Sequence, residues 1–136
     1  MHGGSYFVRT KAERNVPTEA TLEAFIALVE SNAHVEAIER FYAEDASMQE
    51  NHDAPRRGRS TLAAGEAAFL KRWTKIESQC MRPAFRSGDH VVIRWNFAFT
   101  SPDGKTRKMD ELAYQRWNGE KIAEERFYYD PRQMGA

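Results

Sequence analysis

Two acidic side chains in the C-terminal half of the chain, Asp110 and Glu125, have the type and spacing that proton transfer requires. Each interrupts a run of alternating apolar residues, so each is predicted to point into an apolar interior. Counting back from the neighbouring turns makes the two carboxylates diagonal neighbours on adjacent strands, about 7–8 Å apart or less. Burial and mutual repulsion raise the pKa of such carboxyl groups. We therefore predict a pair that acts as general acid or base near neutral pH.

The inward direction of this pair depends on two turn signals, Asp103-Gly104 and Asn118-Gly119. If each pair forms the centre of a two-residue turn, Trp95 lies opposite Leu112, and Leu112 lies opposite Glu125. The inner face of the sheet then collects mostly apolar residues: Val91, Ile93, Trp95, Phe97, Phe99, Leu112, Tyr114, Ala123, Phe127 and Tyr129. A one-residue bulge at either turn would turn the affected strand over. The alternative for the acids is the open end of the sheet, where water would leave their pKa values unperturbed.

The other face of these strands is mixed polar and aromatic and predicts a subunit interface. Glu111 is expected opposite Arg126, with Arg94 two strands away, which would form an ion-pair network. An acid is expected opposite that arginine at either of two lengths of the last turn. Trp117 and Tyr128 on the same face favour a homodimer. The alternative is a solvated sheet face, on which such ion pairs contribute little.

The elements that must position these residues divide the chain into a helical half and a strand half. Thr18 and Ser60 are predicted helix caps, each followed by apolar residues at helical spacing, with a shorter helix between them. Residues 46–51 are predicted to form a short strand. From Ile76 onward, turn signals separate four runs rich in Val, Ile, Phe, Tyr and Trp, which predicts an antiparallel meander. Helices followed by strands are typical of an α+β fold.

Composition argues against several classes of function. In these 136 residues, 20 Lys and Arg balance 20 Asp and Glu, so the basic excess of a nucleic-acid binder is missing. One cysteine and four scattered histidines predict no metal site. No segment has the character of a signal peptide or the ~20 apolar residues of a membrane span. We expect a cytoplasmic protein with an N-terminal arm over residues 1–17 and one domain over residues 18–136.

Three segments together resemble the nuclear transport factor 2-like superfamily, and within it the SnoaL-like, polyketide-cyclase-like domains: FYAEDASMQEN, PRRGRSTL and WNGEKIAEERFYYD. The resemblance covers residues 18–131. It implies a cystatin-like cone, in which helices pack on a curved antiparallel sheet around an internal pocket. In such enzymes an inward Asp or Glu acts as acid or base on a small carbonyl-bearing substrate, and Asp110 is the best positional match, followed by Glu125.

The resemblance also implies which residues would contact a small apolar ligand: Tyr42, Met48, Glu50, Trp73 and Trp95, joined by Phe97, Tyr114 and Phe127 from the predicted inner face. Glu66 lies on the buried stripe of the third helix, either in the pocket or at its solvent edge. We predict a small-molecule-binding protein with acid–base chemistry of the cyclase, isomerase or dehydratase type and with no metal or organic cofactor. The alternative is a non-catalytic dimeric module whose cone is filled by its own side chains.

Overall fold

Three helices and six strands make up the part of the chain that this computed structural model describes, Thr10 and residues 16–135. They are α1 (Glu19–Glu30), α2 (His34–Phe41), β1 (Tyr42–Glu50), β2 (Arg56–Arg57), α3 (Arg59–Leu70), β3 (Lys75–Ser87), β4 (His90–Thr100), β5 (Thr106–Asn118) and β6 (Lys121–Tyr128), followed by a 3-10 turn (Pro131–Met134). Most of the predicted arm lies outside the described residues. No helix of the described part is long and apolar enough to cross a bilayer.

The first helix begins as predicted and the third does not. The Thr18 hydroxyl accepts a hydrogen bond from the Thr21 N–H at 3.1 Å, which satisfies a free donor at the start of α1. In α3, Ser60 is already inside the helix, and the cap position is Gly58, with φ +96°. The Gly58 N–H donates to the Ala46 carbonyl oxygen at 2.8 Å. This backbone bond ties the start of α3 to β1, so a side-chain cap is not what positions the helix.

All six strands form one sheet in the order β2-β1-β6-β5-β4-β3. Strands β1 and β6 pair in parallel, and the other neighbours pair antiparallel. The helices bury their apolar stripes against one face of this sheet, as the α+β prediction required. The centre of the core consists of fully buried residues from both layers: Ile26, Val91, Ile93, Ala113, Trp117 and Ile122.

Strand β5 is displaced by one residue from its predicted register. Trp95 lies opposite Glu111 rather than opposite Leu112. The Ser101 N–H donates to the Lys105 carbonyl oxygen at 2.8 Å, which leaves three residues in the loop instead of the predicted two. Because side chains alternate along a strand, one extra loop residue turns all of β5 over.

This displacement reverses the predicted faces of five residues. Asp110 is on the outer face, with half of its side chain exposed, and Leu112 and Tyr114 are exposed on the same face. Glu111 is only 7% exposed and Trp117 is fully buried, so both belong to the inner face. The predictions of an inward Asp110 and Tyr114, and of Glu111 and Trp117 at an outer interface, are therefore wrong.

Glu125 nevertheless faces inward, because a second displacement compensates for the first. It lies opposite Gln115 instead of Leu112, an offset of three residues along β5. An irregularity between Arg116 and Trp117 contributes to this offset. Since both displacements are odd, they cancel in the alternation of side chains on β6. The inward direction of Glu125 is confirmed, although the pairing that predicted it is not.

The ion pairs of the outer face also differ from the predicted network. Arg94 binds both carboxylate oxygens of Asp110, at 3.0 and 2.7 Å. Among the described residues, no acid pairs with Arg126: its guanidinium donates to the Asn51 carbonyl oxygen at 2.7 Å and lies over the Tyr128 ring at 4.9 Å. The predicted pairing of an acid with this arginine is wrong because β5 presents an aromatic residue opposite it.

Candidate functional site

A cavity of about 550 Å³ lies between the helices and the inner face of the sheet. Its volume is in the range of small-molecule binding sites. Most of its wall is apolar or aromatic and comes from both layers: Phe25, Val29, Ala37, Ile38, Met48, Leu62, Phe69, Trp95, Phe97, Phe99, Met109, Phe127 and Met134. The cone is therefore open inside and is not filled by its own side chains.

Seven of the nine residues predicted to contact a ligand line this cavity: Tyr42, Met48, Glu50, Glu66, Trp95, Phe97 and Phe127. The other two lie elsewhere. Trp73 packs against Phe99, with ring centroids 5.3 Å apart, and is not part of the cavity wall. Tyr114 is on the outer face because of the register of β5. Of the two predicted catalytic acids, only Glu125 reaches the cavity.

A chain of buried hydrogen bonds holds the Glu125 carboxylate in place. The Tyr42 hydroxyl donates to Oε1 of Glu125, and Nε2 of Gln115 donates to Oε2 at 2.7 Å. Nε1 of Trp117 donates in turn to Oε1 of Gln115 at 2.9 Å. All four side chains are buried. Three strands, β1, β5 and β6, thus fix one carboxylate at the cavity wall.

The surroundings of Glu125 bring its pKa close to neutral pH. Burial raises its pKa, hydrogen bonds from Gln115 and Tyr42 lower it, and the charges of Glu50 and Glu66 raise it again, to about 7. Both forms of the carboxyl group are then populated at neutral pH. Burial, followed by the negative charge of Glu125, raises the pKa of Tyr42 well above its ordinary value, so this phenol keeps its proton and remains a donor.

Glu111 is a second buried carboxyl group in the cavity wall, and it differs from Glu125 in its hydrogen bonding. Burial is the first cause that raises its pKa well above the ordinary value, and the charges of Glu125, Glu50 and Glu66 add to it. No side chain or backbone N–H of the described residues donates to its carboxylate. Glu111 therefore favours its protonated form more strongly than an ordinary glutamate does, and that form has an O–H to offer to a bound molecule.

The sequence contained a signal for Glu111. Residues 102–104 read Pro-Asp-Gly, and Gly104 has φ +87°. A three-residue hairpin loop of this kind ends in a residue with left-handed backbone, where glycine is favoured. Choosing that loop over the two-residue turn would have placed Glu111 inside and Asp110 outside.

A histidine and a carboxylate from two helices form another polar group in the cavity wall. Nδ1 of His34 in α2 lies 3.4 Å from Oε1 of Glu66 in α3. Nε2 of His34 lies 2.8 Å from the Ser78 hydroxyl, which donates to Oδ1 of Asn32 at 2.8 Å. His34 was not a predicted site residue, since its partners are distant in sequence and meet it only after folding.

Charged groups of both signs also line the cavity, among them Glu50, Arg56 and Arg72. Arg56 binds Glu50 at 2.7 Å. Arg72 lies over the rings of Phe69 and Trp73, at 5.6 and 5.5 Å from their centroids. Within the described part of the chain, no three His, Cys, Asp or Glu side chains are grouped as metal ligands would be.

Solved structures share this fold at low sequence identity. An inferred SnoaL-like polyketide cyclase from Mesorhizobium loti is 22% identical, with a TM-score of 0.66 over 81% of this chain and 97% of that one. A Catenulispora acidiphila protein with a ketosteroid isomerase-like fold, in complex with trimethylamine, is 20% identical, with a TM-score of 0.70 over 83% and 87%. TerC, co-crystallised with polyporic acid, is 15% identical, with a TM-score of 0.72 over 85% and 93%. No curated protein matches the chain.

The family comparison agrees with the architecture. A family model described as a SnoaL-like domain matches residues 22–125. This range extends from α1 to Glu125 in β6 and contains nearly all of the cavity wall. The chain therefore belongs to the SnoaL-like domain family and has the nuclear transport factor 2-like fold.

Proposed function

We propose that this protein binds a small, largely apolar, carbonyl-bearing molecule in the cavity and moves a proton on it by acid–base catalysis. The observation that carries the proposal is Glu125, a buried carboxyl group with a pKa of about 7 at the wall of an apolar cavity of about 550 Å³. A general base works best when its pKa lies near the working pH, because it is then both available and strong. This chemistry is that of cyclases, isomerases and dehydratases.

In the proposed mechanism, Glu125 takes a proton from a carbon next to the carbonyl group of the ligand. Its donors, Tyr42 and Gln115, occupy one lone pair on each oxygen, so each oxygen has another for the proton. Removing the proton leaves negative charge on the carbonyl oxygen. The protonated Glu111 donates to that oxygen, because a neutral acid in a low-dielectric site stabilises developing charge.

Two features of the site support an organic ligand. Aromatic rings from α1, α3, β4 and β6 line the cavity and would cover the apolar part of such a molecule. Two of the structural neighbours were crystallised with small organic molecules, trimethylamine and polyporic acid.

Proton exchange on a simple ketone tests this function. Benzylacetone in D₂O loses its α-proton NMR signals when a base removes those protons. The native protein should accelerate the exchange, with a rate that rises with pH around a midpoint of about 7. Glu125→Gln should slow it at least ~100-fold, since general bases contribute about 10²–10⁴. Glu124→Gln is the matched control, because the neighbouring side chain is exposed and paired with Arg116.

Two results would contradict the proposal. One is a Glu125→Gln protein that still catalyses exchange at the native rate. The other is a native protein that binds benzylacetone, seen as a raised melting temperature, without exchanging its protons. The second result would favour the non-catalytic binding module.

We also propose that two copies associate through the outer face of the sheet. Leu112, Tyr114, Tyr128 and Phe85 are all exposed there. Tyr114 and Phe85 both pair with Val92 in β4, so these side chains form a continuous row. An apolar patch bordered by charged residues is typical of an interface.

Arg94 and Arg126 lie beside this patch and would contact the second copy. Light scattering should give the mass of a dimer for the native protein and of a monomer for Tyr114→Glu. A native monomer at micromolar concentration would exclude this association.

A further inference from the structure

The pair formed by His34 and Glu66 is a titratable group in the cavity wall that the mechanism above does not use. His34 is 8% exposed, and its ring packs against the edge of Phe97 at 5.5 Å between centroids. Both members of the pair line the cavity. Glu66 is 26% exposed, so the pair is accessible from the cavity and is not sealed in the core.

The hydrogen bonds around His34 decide which of its nitrogens exchanges a proton. Ser78 has a single hydroxyl hydrogen and donates it to Asn32. The Ser78 oxygen can then only accept, so Nε2 of His34 carries a hydrogen in every protonation state of the ring. The exchanging nitrogen is therefore Nδ1, the one that faces Glu66.

The contact between Nδ1 of His34 and the Glu66 carboxylate is favourable when one proton lies between the two atoms. Without it, a lone pair and a negative charge would face each other at 3.4 Å. With it, the pair is either an imidazolium beside a carboxylate or a neutral imidazole beside a carboxylic acid, and its net charge is zero. Giving this proton to a ligand leaves the pair with a charge of −1.

The pair is electrostatically coupled to the base. The negative charge of Glu66 is among the causes that raise the pKa of Glu125 and of Glu111. When the pair has lost its proton, Glu125 is therefore favoured in its protonated form, and the effect is reciprocal. A reaction in which Glu125 gains a proton while the pair loses one leaves the charge of the cavity unchanged.

The two groups also occupy different sides of the cavity. Glu125 belongs to β6 and is held from β1 and β5, whereas His34 is held against β3 and β4. In the sheet order, β6 and β3 are three positions apart. A ligand between them meets a base at one atom and an acid at another, which is what an elimination requires.

We propose that the His34–Glu66 pair is the general acid that complements Glu125, and that the ligand is a β-hydroxy ketone from which the site removes water. This inference rests on the proposed role of Glu125 as base. It adds a second catalytic group, the pair in which His34 and Glu66 share the proton that is donated.

The step balances without any further reactant. Glu125 takes the proton from the carbon next to the carbonyl group, and the electron pair of that C–H bond forms a carbon–carbon double bond. The bond from the next carbon to its hydroxyl oxygen breaks, and that oxygen takes the proton that His34 and Glu66 share and leaves as water. Glu125 then returns its proton through water to the pair, which restores the starting state.

Two probes separate this inference from the proposed function. Benzylacetone has no leaving group, so its α-proton exchange reports on Glu125 alone. The aldol adduct of benzaldehyde and acetone carries a β-hydroxyl group, and its loss of water to benzylideneacetone is followed by ultraviolet absorbance. The native protein should catalyse both reactions.

The informative variant is His34→Gln, because the glutamine amide can still donate to Ser78 but cannot act as an acid. It should reduce water elimination at least tenfold more than it reduces exchange, with each rate taken at the pH where it is highest, because the uncompensated charge of Glu66 also raises the pKa of Glu125. His90→Gln is the matched control, since His90 is a surface residue beside Asp89 and should leave both rates unchanged. Glu66→Gln should also impair elimination more than exchange, because His34 then lacks the carboxylate with which it shares the proton.

Each outcome bears on one of the two proposals. Exchange without elimination by the native protein overturns the acid role and leaves the base role intact, whereas no exchange at all overturns the base role and with it this inference. Equal loss of both activities in His34→Gln identifies His34 as structural and also overturns the inference. Circular dichroism monitors folding of each variant. If His34→Gln does not fold, Glu66→Gln decides the question, since a larger loss of elimination than of exchange supports the acid role and equal losses contradict it.

Discussion

Replacing Glu125 with glutamine should change how the stability of the protein depends on pH. On folding, the pKa of Glu125 rises from its ordinary 4.5 to about 7. Between these values the folded protein binds more protons than the unfolded chain, so this residue makes the free energy of unfolding fall as pH increases. Its stabilising contribution is complete below pH 4.5 and is lost once the pH has passed 7. Glutamine at this position has no such dependence.

The size of the effect follows from the width of this window. At about 1.4 kcal/mol per pH unit, the interval from 4.5 to about 7 corresponds to about 3 kcal/mol. The free energy of unfolding of the Glu125 protein, relative to the variant, should fall by that amount between pH 4 and pH 8. With urea slopes of about 1–3 kcal/mol/M, this is a relative change of roughly 1–3 M in the unfolding midpoint.

The measurement is urea unfolding followed by tryptophan fluorescence across this pH range. Both proteins should carry Glu111→Gln, because the pKa of Glu111 responds to the charge of Glu125 and would otherwise mix with the signal. Glutamine is a suitable replacement, since it resembles a neutral carboxyl group in shape. Two pH curves that run parallel within ~1 kcal/mol would refute the argument that burial controls the protonation of Glu125.

Three further variants test other parts of the structure. Tyr42→Phe removes a donor to the ionised Glu125 and should raise the pH midpoint of benzylacetone exchange by about one unit or more, whereas an unchanged midpoint would mean that the phenol does not support the charge. Asp110→Asn affects only an exposed ion pair with Arg94 and should leave the exchange rate unaltered; a large loss would return this acid to the site. Ile26→Ala should destabilise the protein by about 2–5 kcal/mol in urea unfolding, because the side chain is fully buried in the core, and a cost under ~1 kcal/mol would contradict this packing.

The layers of the fold follow from the sequence because they depend on periodicity. Leu22, Phe25, Ile26 and Val29 recur at helical spacing, and all four are buried in α1. The family resemblance agreed with this reading. Such patterns tolerate small errors in boundaries, since a helix that begins one residue early still buries the same stripe.

The face that a strand residue occupies is harder to predict than the buried stripe of a helix, because strand side chains alternate with a period of two. A single additional loop residue before Lys105 exchanged Asp110 for Glu111 as the inward acid. The Asp-Gly signal is compatible with both loop lengths. In the structure the loop has three residues because Pro102 lies within it and Gly104 takes its last position, with left-handed backbone. Sequence periodicity does not predict which residues of different elements meet after folding. The contact of His34 with Glu66 was therefore not expected.

The indole of Trp117 fixes the orientation of the Gln115 amide, although neither residue is part of the cavity wall. An indole N–H has no lone pair to offer, so the Gln115 amide must turn its oxygen towards Trp117 and its NH₂ towards Glu125. A phenylalanine at position 117 would release this constraint and allow the amide to rotate, presenting an oxygen to the carboxylate instead. The pKa of Glu125 can thus be changed by a substitution at position 117, which is outside the cavity wall, without altering the residues that contact a ligand.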